Sequence, residues 1–136
     1  MLKTIIIDDE AHIRDTLRKL LKICCPHVVV IGEAAGVADG LKKILALHPD
    51  LVILDINLKD GTGYDLLHLI HPVNFRVIFI SAFDRRSIQA FKLSSLAYLV
   101  KPFSTLDLAR AIEEVEHTEV KHFDLILEAL EANIRE

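Results

Sequence analysis

The sequence predicts an α/β domain built on a five-stranded, doubly wound parallel sheet, and three observations carry that expectation. Short apolar, β-branched runs alternate five times with segments of helical spacing. Most of these runs are apolar throughout and not in alternation, as strands buried on both faces are. Pro26, Pro49 and Pro72 punctuate the joins between them.

In chain order, the first strand run is Thr4 to Asp8, and the helix after it carries Ile13, Leu17, Leu20, Leu21 and Cys24 on one stripe. Val28 to Glu33 is the second, followed by Val37, Leu41, Ile44 and Leu45 at helical spacing. The third, Leu51 to Asp55, precedes Leu66, Leu67 and Ile70. Phe75 to Ser81 is the fourth, and Ile88 and Phe91 mark a shorter fourth helix. The fifth, Ala97 to Val100, precedes a helix bearing Leu108, Ile112 and Val115, with Ser104 and Asp107 placed as a capping-box pair. Right-handed crossovers put helices on both faces of such a sheet, and ligands of open α/β sheets bind beyond the carboxyl ends of the strands.

Composition narrows the function classes. With 136 residues, 51 % apolar and 26 % charged, the chain suits one globular domain. Its longest apolar run, Leu96 to Val100, falls far short of the roughly 20 residues a membrane helix needs, and no signal peptide leads the chain. A soluble, cytoplasmic protein without membrane contact is expected. The net charge is −4, and residues 107–136 hold nine acids against three bases, so −6 sits there and +2 in the rest. Neither part is a clustered basic footprint, so direct nucleic-acid binding is not expected. Cys24 and Cys25 are adjacent and read as packing residues, since neighbouring cysteines close a disulfide only with strain.

Polar residues gather at the carboxyl edge: Asp8 and Asp9 end the first run, Asp55 the third, Ser81 the fourth, and Lys101 follows the fifth. An acid after a strand can simply cap the next helix, but three carboxylates converging on one crevice repel each other unless a cation sits among them. Mg2+, a hard cation that keeps several waters, suits two carboxylates, a backbone carbonyl and a phosphoryl oxygen. The set points to phosphoryl transfer with Asp55 as nucleophile, Lys101 offsetting charge on the phosphoryl oxygens and the Ser81 hydroxyl donating to one of them.

These residues resemble the receiver domains of two-component response regulators, over about residues 2–117. Ile5 to Glu10 (IIIDDE) is similar to the acidic end of the family's first strand. Leu54 to Gly63 (LDINLKDGTG) is similar to its phosphoacceptor segment, with glycine eight residues after the aspartate. Ser81 occupies the Ser/Thr position, and Lys101-Pro102-Phe103 the Lys-Pro-Phe motif, whose cis Lys-Pro bond is expected here too. The resemblance implies a flavodoxin-like sheet in order 2-1-3-4-5 and phosphorylation of Asp55 by a histidine kinase. It also implies Mg2+ held by Asp9, Asp55 and the Asn57 carbonyl, with Asp8 acting through a water. Tyr98 matches the aromatic position that swings inward when the Ser/Thr hydroxyl engages phosphate. The implied readout is a surface of the fourth helix, fifth strand and fifth helix, where homodimerisation would occur, with transcription as the output. Lys59 departs from the pattern, standing where the family usually has proline.

Residues 1–117 are thus expected to form the receiver and 118–136 a helical extension. Val120, Phe123, Leu127, Leu130 and Ile134 are spaced three, four, three and four, a heptad-like stripe. Two readings stand open: a helix folded onto its own domain or a neighbour, or a connector to an output domain outside this chain. His122 to Glu136 resembles the linker before the DNA-binding domain of LytTR-type regulators.

Other functions fit less well. A Mg2+-dependent phosphatase of the haloacid dehalogenase type also pairs an aspartate with Ser/Thr and lysine, but there an aspartate acting as general acid stands where Asn57 is, and the nucleophile ends the first strand. A receiver-like interaction module without phosphorylation would not need the full set of Asp8, Asp9, Asp55, Ser81 and Lys101. Seven histidines form no His-Glu-x-x-His pattern, and His68 with His71 reads as a half-exposed helix face. Asp60-Gly61 reads as a turn.

Overall fold

The structure is a computed structural model that describes residues 1–70, 73–82 and 97–118. Its sheet strands are β1 (Leu2–Ile7), β2 (Val28–Ala34), β3 (Leu51–Asp55), β4 (Arg76–Ala82) and β5 (Tyr98–Lys101). All pair in parallel, in the order β2-β1-β3-β4-β5. That is the expected 2-1-3-4-5 arrangement. The helices are α1 (Ala11–Cys24), α2 (Val37–Leu47), α3 (Gly63–Ile70) and α4 (Thr105–Glu116). The predicted fifth helix is therefore α4, and the predicted fourth, with Ile88 and Phe91, lies outside the described residues. So do His71 and the stripe from Val120 to Ile134. Among the described residues, no helix is long and apolar enough to cross a membrane.

The unalternating strands are apolar because both faces are covered. Every residue of β3 is buried, and Ile5, Ile6 and Ile7 of β1 are fully so, as are Val77 to Ile80 of β4. Helix α1 packs beside α4, and α2 beside α3. Leu17 and Leu21 form the buried centre of the α1 stripe, flanked by the half-buried Ile13, Leu20 and Cys24. In α2 the stripe differs from expectation: Val37, Gly40 and Ile44 face the core, while Leu45 is exposed. One residue past Ile44 is about 100° around the helix, so the two cannot share a narrow buried face. The capping box of α4 forms as expected, with Ser104 Oγ accepting from Asp107 N at 3.1 Å and Asp107 Oδ2 from Ser104 N at 3.0 Å. Cys25 is buried and Cys24 half-buried, with the sulfurs 3.3 Å apart as free thiols, and burial first, then Cys24, pushes the Cys25 thiol up to about 12.

Strand ends slide by one or two residues from the predicted runs, and a short hairpin, Asn57–Leu58 with Gly61–Thr62, fills the segment between β3 and α3. Lys59 and Asp60 form its turn, and Gly61, which begins the returning strand, has φ +148°, a conformation that L side chains rarely adopt.

Candidate phosphoacceptor site

Parallel strands deliver their carboxyl ends to one edge, and five of the polar residues singled out in the sequence follow or end β1, β3, β4 and β5 there. Asp8 is fully buried just past β1. Its Oδ1 accepts from Glu10 N at 2.8 Å, closing an Asx-type turn into α1, while Arg14 Nη1 donates to the Asp8 carbonyl at 2.5 Å. Asp55 ends β3, 3 % exposed, and its Oδ1 accepts from Asn57 N at 3.2 Å. Ser81 is buried near the end of β4, where its hydroxyl donates to the Ala82 carbonyl at 2.9 Å. Asp9 is half-buried, Asn57 exposed, and Tyr98, on β5 in register with Phe79, half-buried.

Lys101 joins these elements. Its ammonium lies 3.0 Å from Asp8 Oδ2, 3.2 Å from Asp55 Oδ2 and 3.0 Å from Glu10 Oε2. The Lys101-Pro102 peptide is cis, as the sequence predicts. Burial alone would lower the Lys101 pKa, but the hydrogen bond that the ammonium donates to Glu10 and the negative charges of Asp8 and Asp55 outweigh it, so the ammonium is held charged well above its usual range. Asp55 moves the other way, to about 6, because burial and then the Asp8 charge disfavour its ionised form more than Lys101 and the Asn57 amide favour it.

Among the described residues, one ammonium thus faces three carboxylates, and the charge balance there has room for a further cation. Oδ2 of Asp8 is buried and meets Lys101 as an ion pair, yet receives no hydrogen bond of good geometry. Carboxylate oxygens of Asp8, Asp9 and Glu10 lie within 4.8 Å of one another. An orphaned buried oxygen, hard ligands and excess negative charge fit a divalent cation such as Mg2+. This acidic group comes from the loop after β1 and does not include Asp55, which the structure instead joins to Asp8 through Lys101.

Gly63 explains the spacing after Asp55. Its N–H donates to the Ile56 carbonyl at 2.8 Å, and a Cβ there would lie 2.7 Å from the Asp55 carbonyl oxygen, which is backbone and cannot swing aside. Gly63→Ala should therefore lower stability by about 1–3 kcal/mol, the usual cost of overpacking. Urea unfolding checks this, and an unchanged midpoint would show that the loop gives way freely.

Sequence reasoning missed two residues. Glu10 pairs with Lys101 across 91 positions, and its carboxyl is held below the usual range by that hydrogen bond. The only sequence signal is the third acid in IIIDDE. Asp60, assigned to a turn, also reaches the start of α2.

A parallel doubly wound sheet with an aspartate, a lysine and an acidic cluster at its carboxyl edge defines a class of phosphoryl-accepting α/β domains. The comparisons make it particular. Residues 4–113 match the response regulator receiver domain family. Over 116 residues the chain is 38 % identical to an uncharacterized response regulatory protein of Vibrio cholerae serotype O1, covering 85 % of this chain and 48 % of that protein. It is 34 % identical to the sensory transduction protein LytT of Bacillus cereus, covering 84 % and 47 %. Among solved structures, a LuxR-family DNA-binding response regulator from Staphylococcus aureus has a TM-score of 0.74 at 26 % identity, covering 86 % of this chain and all of that one. A CheY-like receiver domain protein from Methanospirillum hungatei has a TM-score of 0.66 at 26 % identity, covering 98 % of each chain. The chain belongs to the response regulator receiver domain family, the signalling-switch domain of two-component systems. It spans about half the length of the curated relatives it matches. The phosphatase and inert-module readings gain no support from these matches.

Proposed function

We propose that Asp55 is the phosphoacceptor and that Lys101, Ser81 and the acidic cluster serve it. The observation that carries this reading is the Lys101 ammonium 3.2 Å from Asp55 Oδ2 in a buried pocket. A carboxylate oxygen of Asp55 attacks the phosphorus of a phosphohistidine, the P–N bond breaks, and an acyl phosphate forms on Asp55 while the imidazole leaves. Lys101 offsets the charge that collects on the phosphoryl oxygens, and the buried setting strengthens that interaction. Asp9, Asp55 and the Asn57 carbonyl would hold Mg2+, with Asp8 through a water, and the bound ion supplies further neutralisation of phosphoryl charge. Attack of water on the acyl phosphate returns Asp55, so the domain catalyses its own loading and unloading and is otherwise not an enzyme. The same reading makes residues 1–117 the receiver and 118–136 an extension or linker to a LytTR-type transcriptional output, in a cytoplasmic protein. It assigns no nucleic-acid or membrane contact to this chain.

Incubation with acetyl phosphate and Mg2+ followed by intact-mass measurement should show a gain of about 80 Da, one phosphoryl group. An unmodified mass would refute the reading.

The signal would be read through Ser81 and Tyr98. In the resting state the Ser81 hydroxyl is engaged by the Ala82 carbonyl. A phosphoryl group offers it a charged acceptor, a stronger partner, and that difference is what shifts the population toward the state with Tyr98 inward. The predicted fourth helix, which lies outside the described residues, would form the homodimer face together with β5 and α4. Ser81→Ala should still be phosphorylated yet lose most mimic-induced dimerisation. Sedimentation with and without beryllofluoride checks this, and equal association in both proteins would remove Ser81 from the signal path.

A further inference from the structure

We propose that Asp60 is a positioning residue for the metal site: it ties the loop that follows Asp55 to helix α2, and thereby sets the Asn57 carbonyl for Mg2+. This rests on the reading of Asp55 and the Asn57 carbonyl as metal ligands.

The start of α2 lacks a cap of its own, because its N-cap is Gly36, which has no side chain to offer. Asp60, 23 residues further on, supplies it from another loop. Its Oδ1 accepts from Val37 N at 2.7 Å and its Oδ2 from Ala38 N at 3.1 Å, and these two bonds hold the Asp60 carboxyl below the usual range. The approach is close: a Cβ on Gly36 would lie 2.5 Å from Asp60 Oδ1, so the carboxylate would have to move away.

The other ends of this loop are anchored elsewhere. Asn57 N–H is bound to Asp55 Oδ1, and Asn57 pairs with Thr62. Thr62 and Asp65 exchange hydrogen bonds of 2.9 and 3.1 Å that start α3. Between these anchors the turn residues Lys59 and Asp60 are exposed. Lys59 is the first residue of the turn, and among the described residues its amide has no backbone hydrogen-bond acceptor. A proline at that place would restrict φ to about −65° at no cost in hydrogen bonds. Lys59 imposes no such limit, so the turn, and with it the two-residue hairpin that carries Asn57, is held from outside by the Asp60 bridge. Replacing an outer residue that orients a metal ligand commonly costs about 10- to 100-fold in metal affinity.

Calorimetric Mg2+ titration of the whole chain at pH 7.5 tests this, with thermal unfolding of each metal-free variant alongside. Asp60→Ala should weaken Mg2+ about tenfold, the low end of what such outer partners contribute. Gly36→Ala should weaken it similarly with Asp60 present, because its methyl displaces the carboxylate. Lys59→Pro should restore most of the affinity in the Asp60→Ala background, since it restrains the same turn by other means. A role confined to capping α2 predicts a lower unfolding temperature with Mg2+ affinity unchanged, or a loss that Lys59→Pro leaves in place, and either result overturns the proposal. Absence of Mg2+ binding in the wild type would instead overturn the ligand assignment beneath it, so the two failures are distinct.

Discussion

Asp55→Asn should abolish the 80 Da gain, with labelling by acetyl phosphate and Mg2+ falling by at least about a hundredfold, because an amide oxygen is too weak a nucleophile to attack phosphorus. The substitution is nearly isosteric in a pocket where Asp55 is 3 % exposed, so the fold should persist. Lys101 would retain Asp8 and Glu10 as partners. The control is therefore clean: a folded protein with its lysine in place and its nucleophile gone. Undiminished labelling would move the phosphoacceptor to another residue, with Asp8 and Asp9 as the nearest alternatives on the same edge. Partial labelling on peptide mapping at either would count against Asp55 in the same way.

That clarity follows from how the fold collects residues. Five apolar runs, most of them without alternation, are enough to predict a buried parallel sheet, because burial on both faces removes polar residues from a strand. Strand order and the carboxyl edge came with the resemblance to receivers and with the rule for open α/β sheets, and both hold. What was not legible has one cause: it depends on approach between distant elements. Leu45 was assigned to the core of α2 because its spacing allows it, and only the position of β1 and α3 against Gly40 shows that the buried face is rotated away. The hairpin after Asp55 is too short to leave a pattern. Glu10 stands in the sequence only as the last acid of IIIDDE and Asp60 only as a turn residue, since a side chain that caps a helix normally belongs to that helix. Asp60 caps a helix 22 to 23 residues before it, and Glu10 pairs with a lysine 91 residues after it. No local spacing encodes either.

The pocket's charge imbalance should also govern stability, in a pH window of its own. Without metal, Asp55 titrates near 6 in the folded chain against a reference of 3.8. Below the lower value the carboxyl is protonated whether the chain is folded or not, and no penalty arises. Between the two the unfolded chain releases the proton that the folded chain retains, so stability falls as pH rises, and above 6 the loss is complete, on the order of 2–3 kcal/mol. Glu10, Asp15, Asp60 and Asp107 have lowered values, and what they contribute is lost only as pH falls through the acid range beneath. Subtracting Asp55→Asn from wild type isolates the Asp55 window. The metal-free variant should be the more stable protein at pH 7.5 and nearly equal at pH 4, by urea unfolding. Magnesium should reverse the order, since it binds the ionised carboxylate: wild type should gain several degrees in Tm at pH 7.5, much less at pH 5, and the variant little at either. A Mg2+ effect of equal size at pH 5 and 7.5, or one that survives Asp55→Asn intact, would place the ion on Asp8, Asp9 and Glu10 alone and take Asp55 out of its coordination.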